Sequence, residues 1–368
     1  MSPGAAESAP ATTAAVAAPW RSQLLLLGTG TVGSAFVARW QQLAQRGLAL
    51  PRFDALANSR CLVECGGDAV RALHAAGAAQ RGDGVIALDD TQLRRGGIVV
   101  DATASDTVAS WHAQWLARGV HVVTANKLGN GADLLRAQAI VRAQRDGDAR
   151  YGDAATVGAG LPLLRSIREL VAGGDRIHAV EGVLSGSLAW LFDRYDGMRP
   201  FSVLVREARD AGYTEPDPRI DLSGEDVRRK LLILARAAGL ALEAHEVQVD
   251  SLLSDELAAA TDVAVDANLA SLDAPLRQHF QAAYSGGARL RFVGRLEVTD
   301  AGCRASVGLC ALPADHPLCG GSGTDNRVAI FSDRYRNQPL VIQGPGAGAE
   351  VTAAALIDDV LRIGRDRP

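Results

Sequence analysis

The chain has 368 residues, a net charge of −4 and 48% hydrophobic residues, ordinary figures for a soluble globular protein of one or two large domains. The slight acidic balance argues against a nucleic-acid partner, and no apolar run reaches the ~18 residues that cross a bilayer, so no membrane partner is expected. Five cysteines without a Cys-x-x-Cys pair or a His/Cys cluster exclude a disulfide scaffold and argue against structural zinc, leaving reduced thiols in a cytoplasmic protein as the expectation.

Residues 1–20 are Ala, Pro, Ser and Thr with no period; they read as a disordered tail without the positive start of a secretory signal. Leu24–Leu27 predict a buried strand that runs into Gly28-Thr29-Gly30-Thr31-Val32-Gly33, and Ala35–Leu43 follow with a helical apolar face. Residues 52–58, 97–101 and 119–124 read as further strands, with helical stretches between them such as 105–118. Strands alternating with helices predict an α/β, Rossmann-like, doubly wound parallel sheet over residues 21–150. From Tyr151 the pattern changes. Helices are expected over 162–171, 188–195, 201–211 and 224–238, and strands over 176–184, 288–297 and 303–311. Residues 151–325 are expected to form an α+β substrate-binding and dimerisation domain. Residues 326–368 are expected to return to the first domain, ending in a tight loop at Gly344–Gly348 and a helix over 351–363.

Gly28, Gly30 and Gly33 form a GxGxxG between strand and helix. The first glycine permits the turn, the second lets backbone approach a pyrophosphate, and the third lets helix and strand pack. A ribose-binding acid is expected at the end of the second strand. Asp54 has the right offset but sits near that strand's start, whereas the end reads Asn58-Ser59-Arg60. A guanidinium with two small polar groups suits a 2′-phosphate, so NADP is favoured over NAD.

Of 38 basic residues only Lys127 and Lys230 are lysine; the other 36 are arginine. A lysine kept against such a bias suits a task that needs a releasable proton, which arginine does not provide. Lys230 lies four residues after Asp226, on one face of a predicted helix that Ser223 is expected to cap. An i,i+4 pair alone is an ordinary surface contact worth about 0.3–0.5 kcal/mol. Here Glu215 and Asp221 lie on the proline-bearing loop before that helix, so two or three acids can converge on the lysine. Lys127 ends the fourth strand, where ligands bind in open α/β sheets.

These stretches carry a resemblance. Residues 208–230, Val123-Thr124-Ala125-Asn126-Lys127, Thr156–Pro162, Leu184–Leu188 and Gly344–Gly348 followed by Val351-Thr352-Ala353-Ala354 resemble homoserine dehydrogenase, most closely the dehydrogenase part of the bifunctional aspartokinase–homoserine dehydrogenases. The resemblance covers Gln23 to Ile363. It implies reversible, NAD(P)-dependent interconversion of L-homoserine and L-aspartate 4-semialdehyde, a reaction of threonine, methionine and isoleucine biosynthesis, in a cytoplasmic homodimer. It assigns acid/base work to Lys230, electrostatic help near nicotinamide to Lys127, and substrate binding and organisation of Lys230 to Glu215, Asp221 and Asp226. Thr103 and Gly346 are implied cofactor contacts beside the glycine loop. The backbone carbonyls of Ala154, Val157, Ala159 and Leu161 are an implied site for Na+ or K+, although the family usually has Glu where Ala154 stands. Ile220 likewise replaces the first of an acidic pair. No kinase segment is expected before residue 21, and no regulatory domain after residue 363. Two rival readings differ in what they need. An aspartate-semialdehyde dehydrogenase-like enzyme needs a nucleophilic cysteine, and a non-catalytic dinucleotide sensor needs no acid/lysine set.

Overall fold

The structure, a computed structural model, describes residues 22–80, 93–300 and 302–365; the expected tail, residues 1–20, lies outside the described residues. The first layer holds β1 (Gln23–Leu27), α1 (Thr31–Gln45), β2 (Arg52–Ala57), β3 (Leu62–Glu64), α2 (Ala69–Ala78), β4 (Ile98–Asp101), α3 (Asp106–Ala117), β5 (His121–Thr124), α4 (Leu134–Gly147) and β6 (Tyr151–Gly152). Their sheet has the order β3-β2-β1-β4-β5-β6 and is parallel except for β3, which turns back antiparallel on β2. The four leucines of β1 explain why this strand is central. Leu24 and Leu26 join the core beneath α1 and α2, while Leu25 and Leu27 join the opposite core with Val108, Trp115 and Ile140. A strand buried on both faces needs apolar residues at every position, and each leucine so buried contributes about 1.5–3 kcal/mol. Strand order reverses between β1 and β4, so their carboxyl ends open the crevice where α/β sheets bind ligands.

The second layer holds α5 (Leu163–Ala172), β7 (Ile177–Val183), α6 (Gly186–Arg194), α7 (Phe201–Asp210), α8 (Arg219–Leu222), α9 (Glu225–Ala237), β8 (Val247–Val249), α10 (Asp255–Ala258), α11 (Val265–Asn268), α12 (Asp273–Ser285), β9 (Ala288–Thr299), β10 (Gly302–Pro313), β11 (Asp325–Ser332) and β12 (Leu340–Pro345). These strands form a sheet in the order β12-β11-β7-β9-β10-β8, antiparallel apart from the β8–β10 pair. One core packs Val180, Leu296 and Val328 of this sheet against Leu164, Leu191, Leu231 and Leu276 of its helices. The last helix, α13 (Ala349–Arg365), places Ala353, Leu356, Val360 and Ile363 in the core of the first layer. Among the described residues no helix is long and apolar enough to cross a membrane.

The expected boundaries shift in two places. β6 pairs with β5, so the first sheet runs past residue 150. β11 and β12 complete the second sheet, so only α13 returns to the first layer. The α1 helix also starts at Thr31, inside the glycine loop, four residues before the apolar period begins. Thr31 and Val32 belong to the turn by sequence and to the helix by backbone.

Candidate active site

The glycine loop is shaped by close approach. Gly28 has φ +93°, and a Cβ there would stand 2.8 Å from the Ala102 carbonyl oxygen after β4. A Cβ on Gly33 would stand 1.9 Å from the Gly28 carbonyl oxygen, so helix and turn meet only without a side chain. Gly30, the N-cap of α1, has open space on its Cβ side, which leaves room for a phosphate at the helix N-terminus. Thr29 Oγ1 accepts the Asn58 side-chain amide at 2.9 Å. Asn58 Oδ1 in turn accepts the amides of Arg60 and Cys61 at 2.8 and 3.0 Å. Asn58 therefore ties the loop to the β2–β3 turn, with Ser59 exposed and Arg60 half-buried beside it. Asp54 pairs with Arg52 early in β2, away from the glycine turn. Thr103 lies against Gly28, its Cγ2 3.1 Å from the position of the absent Cβ.

A buried polar cluster sets the end of β5. Asp101 is fully buried. Its carboxylate bonds His112 Nε2 at 2.9 Å, accepts the Asn126 side-chain amide at 3.0 Å and accepts the Thr103 amide at 2.9 Å. His112 Nδ1 lies 3.1 Å from the Tyr151 hydroxyl. Asn126 also donates to the Ser105 carbonyl and accepts the Leu128 amide, so the backbone on both sides of Lys127 is fixed from below. Satisfied buried networks of this kind rigidify what they touch.

On α9, Lys230 is 8% exposed. Its ammonium pairs with Asp226 at 2.8 Å and donates to the Leu184 carbonyl at 2.7 Å. The other oxygen of Asp226 lies 3.3 Å from Lys127 Nζ. One carboxylate on α9 thus bridges the two lysines, one from each layer. Burial alone would push the Asp226 carboxyl up, but the Lys230 and Lys127 ammonium groups outweigh it and hold the acid well below the ordinary carboxylate range. Asp221 accepts the Ser187 hydroxyl at 2.6 Å and the Glu215 amide at 2.9 Å. Glu215 itself is exposed. These groups line a cleft of about 1070 Å³ that also reaches Thr31, Val32 and Gly346. Asn58, Ser59, Arg60 and Thr103 lie outside its lining, on or beyond the glycine turn. Gly346 packs against Asn326, whose Oδ1 stands 1.8 Å from where a Cβ would be.

The expected Ser223 cap is corrected. The N-cap of α9 is Gly224, at φ 78° and with no side-chain cap bond. Ser223 continues α8 in a helical conformation, its hydroxyl donates to Ile220 and accepts the Glu225 amide, and the chain turns only at Gly224. Asp226 serves the lysines instead of a cap. Three contributors carry no sequence signal of their own: Ser187, the Leu184 carbonyl and the Asp101–His112–Asn126 cluster. Ser187 and Asn126 sit inside stretches that the resemblance marks, but their partners lie 34 and 25 residues away.

The proposed cation ligands lie on one loop. Gly158 and Ala159 have φ of 71° and 50°, Val157 and Ala159 are buried, and among the described residues no donor is bonded to either carbonyl. The Leu161 carbonyl accepts the Leu163 amide at 2.8 Å, which leaves it one lone pair. Ala154 is held by its amide, which donates to Asp359 at 3.0 Å. Carbonyl oxygens of buried residues that no backbone amide engages, such as those of Val157 and Ala159, suit a hard monovalent cation, and no carboxylate at 154 is needed for that. No cysteine is among the residues lining the cleft. Burial pushes the Cys65 thiol up to about 11 and raises Cys303, Cys310 and Cys319, opposite to what a thiolate nucleophile requires.

Comparison with known proteins gives the family. The family described as "Homoserine dehydrogenase" matches residues 162–361, and "Homoserine dehydrogenase, NAD binding domain" matches residues 28–151. The chain is 43% identical over 267 residues to bifunctional aspartokinase/homoserine dehydrogenase 1, chloroplastic, of Zea mays, covering 72% of this chain and 29% of that protein. It is 37% identical over 277 residues to homoserine dehydrogenase of Emericella nidulans, covering 72% of this chain and 75% of that one. A hyperthermophilic archaeal homoserine dehydrogenase solved in complex with NADPH shares the fold, with a TM-score of 0.69 at 19% identity over 94% of this chain and 98% of that chain. The chain spans under a third of the length of the bifunctional plant relative. The matches over both layers place the chain in the homoserine dehydrogenase family.

Proposed function

We propose that this chain interconverts L-homoserine and L-aspartate 4-semialdehyde with NADP(H), using Lys230 as the acid/base. The observation that carries the reading is the pairing of the only two lysines, Lys127 and Lys230, with Asp226 in the cleft that reaches the glycine turn. Hydride transfer is the chemistry that bound nicotinamide supplies. When the aldehyde is reduced, negative charge builds on its oxygen and a proton must arrive there. The Lys230 ammonium has three N–H donors. Asp226 and the Leu184 carbonyl take two, leaving the third for the substrate oxygen. Lys127 adds a second positive charge across the same carboxylate. Asp221, with its two oxygens fixed by Ser187 and Glu215, and Glu215 at the rim bind the substrate ammonium.

Gly28 to Gly33 seat the pyrophosphate, Arg60 with Asn58 and Ser59 takes the 2′-phosphate, and Thr103 and Gly346 bound the nicotinamide end. The carbonyls of Ala154, Val157, Ala159 and Leu161 hold Na+ or K+ and shape the loop at the cleft. Five unpaired cysteines suit a reducing cytoplasm, and the domain of residues 151–325 joins two copies into a homodimer. The test is absorbance of NADPH, and separately NADH, with L-aspartate 4-semialdehyde added. Consumption faster with NADPH is expected; no consumption of either overturns the proposal.

A further inference from the structure

The loop after Lys127 leaves the first layer at the end of β5 and rests on α9 of the second. Two contacts seat it there, and neither involves a group given a role above. Arg236, six residues beyond Lys230 on the same helix, has a side chain only 8% exposed. Its Nη1 donates to the carbonyls of Asn130 and Ala132 at 2.5 and 2.7 Å, and its Nη2 donates to the Leu242 carbonyl at 2.9 Å. Nη2 also lies 3.8 Å from the Glu243 carboxylate, which accepts the amide of Leu134 at the start of α4, at 3.1 Å. Gly131, between the two clamped carbonyls, donates its amide to the Lys127 carbonyl at 2.7 Å. A Cβ at 131 would stand 2.6 Å from that carbonyl oxygen and 2.8 Å from Arg229 Cγ on α9. The loop is therefore closed on Lys127 from within and pressed on α9 from without. A guanidinium buried largely among neutral carbonyls is costly, and what it holds is the join between the two layers.

We propose that Arg236 is a positioning residue for Lys127: it fixes the Lys127 loop to the helix that carries Asp226 and Lys230, so that both ammonium groups reach one carboxylate. The inference rests on the function proposed above. Lys127 meets Asp226 at 3.3 Å, and a loop drift of about 1 Å would open that contact, a displacement that costs on the order of 100-fold in rate where it misplaces a catalytic group.

The test is a double-mutant cycle on kcat with NADPH and L-aspartate 4-semialdehyde, using Arg236→Gln and Lys127→Ala. Arg236→Gln should lower kcat about 10- to 100-fold in the wild-type background, and less than about twofold once Lys127 is already alanine. Equal losses in both backgrounds, or no loss in the wild type, overturn the inference. A purely structural role would lower the melting temperature without this coupling. If Arg236→Gln fails to fold by circular dichroism, Gly131→Ala, which wedges the same loop off Arg229, replaces it in the cycle with the same expected and contrary results. A wild-type protein without turnover sinks the functional reading itself, whereas an active wild type with additive losses sinks only the role of Arg236.

Discussion

Asp359 offers a prediction whose size follows from the structure. It lies on α13, 4% exposed. Its carboxylate accepts the Ala154 amide at 3.0 Å and an Arg362 hydrogen bond at 3.1 Å. Burial pushes its carboxyl up to about 6, and the Asp153 carboxylate pushes the same way, against the Ala154 amide and the Arg362 and Arg168 guanidinium groups. The folded protein thus holds this proton more tightly than the unfolded chain, whose carboxyl titrates near 3.9. Stability from this group is complete below about pH 4 and is lost as pH rises through about 6. The tighter hold on the proton is worth about 3 kcal/mol in all, roughly half of it lost between about pH 5 and pH 8. Asn cannot ionise, and its carbonyl can still accept the Ala154 amide. Urea unfolding of wild type and Asp359→Asn should therefore show the variant gaining about 1.5 kcal/mol on the wild type between about pH 5 and pH 8. A stability difference that stays constant with pH, or moves the other way, would refute the reasoning.

Arg60→Ala should raise the KM for NADPH about tenfold, the loss of one charge-assisted contact, while leaving the KM for NADH unchanged; equal effects on both would remove Arg60 from the phosphate site. Gly33→Ala puts a Cβ 1.9 Å from the Gly28 carbonyl oxygen and should cost about 1–3 kcal/mol of stability and abolish NADPH binding measured by fluorescence. Gly30→Ala, with open space at its Cβ position, should keep the melting temperature and weaken only NADPH binding. A melting temperature lowered equally by both would contradict the assigned division of labour.

Much of the first layer is legible in the sequence because its signals are local. Four leucines buried on both faces and a glycine turn ending in a helix fix one another within about a dozen residues of chain. The lysine pair is legible for a compositional reason: with 36 arginines present, two lysines stand out, and both reach Asp226. What stays hidden depends on partners far along the chain. Asp101 meets Asn126 across 25 residues, Arg236 meets Asn130 across 106, and Ala154 meets Asp359 across 205; no period or spacing encodes these. The cap signal at Ser223 misleads because Ser-x-x-Asp satisfies the local rule, yet Gly224 in the left-handed region starts the helix one residue later. β11 and β12 escape assignment to the second sheet because β12 joins it only through β11, whose other neighbour, β7, lies some 140 residues earlier.

The most direct measurement is the turnover of Lys230→Ala set beside its affinity for NADPH. Loss of the proton donor should cut kcat about 1000-fold, within the usual range for a general acid, while NADPH binding persists, and Lys230→Arg should fail as well because a guanidinium gives up no proton near neutrality. Near-normal kcat in either variant would contradict the assignment of Lys230 and, with it, the mechanism built on the shared carboxylate.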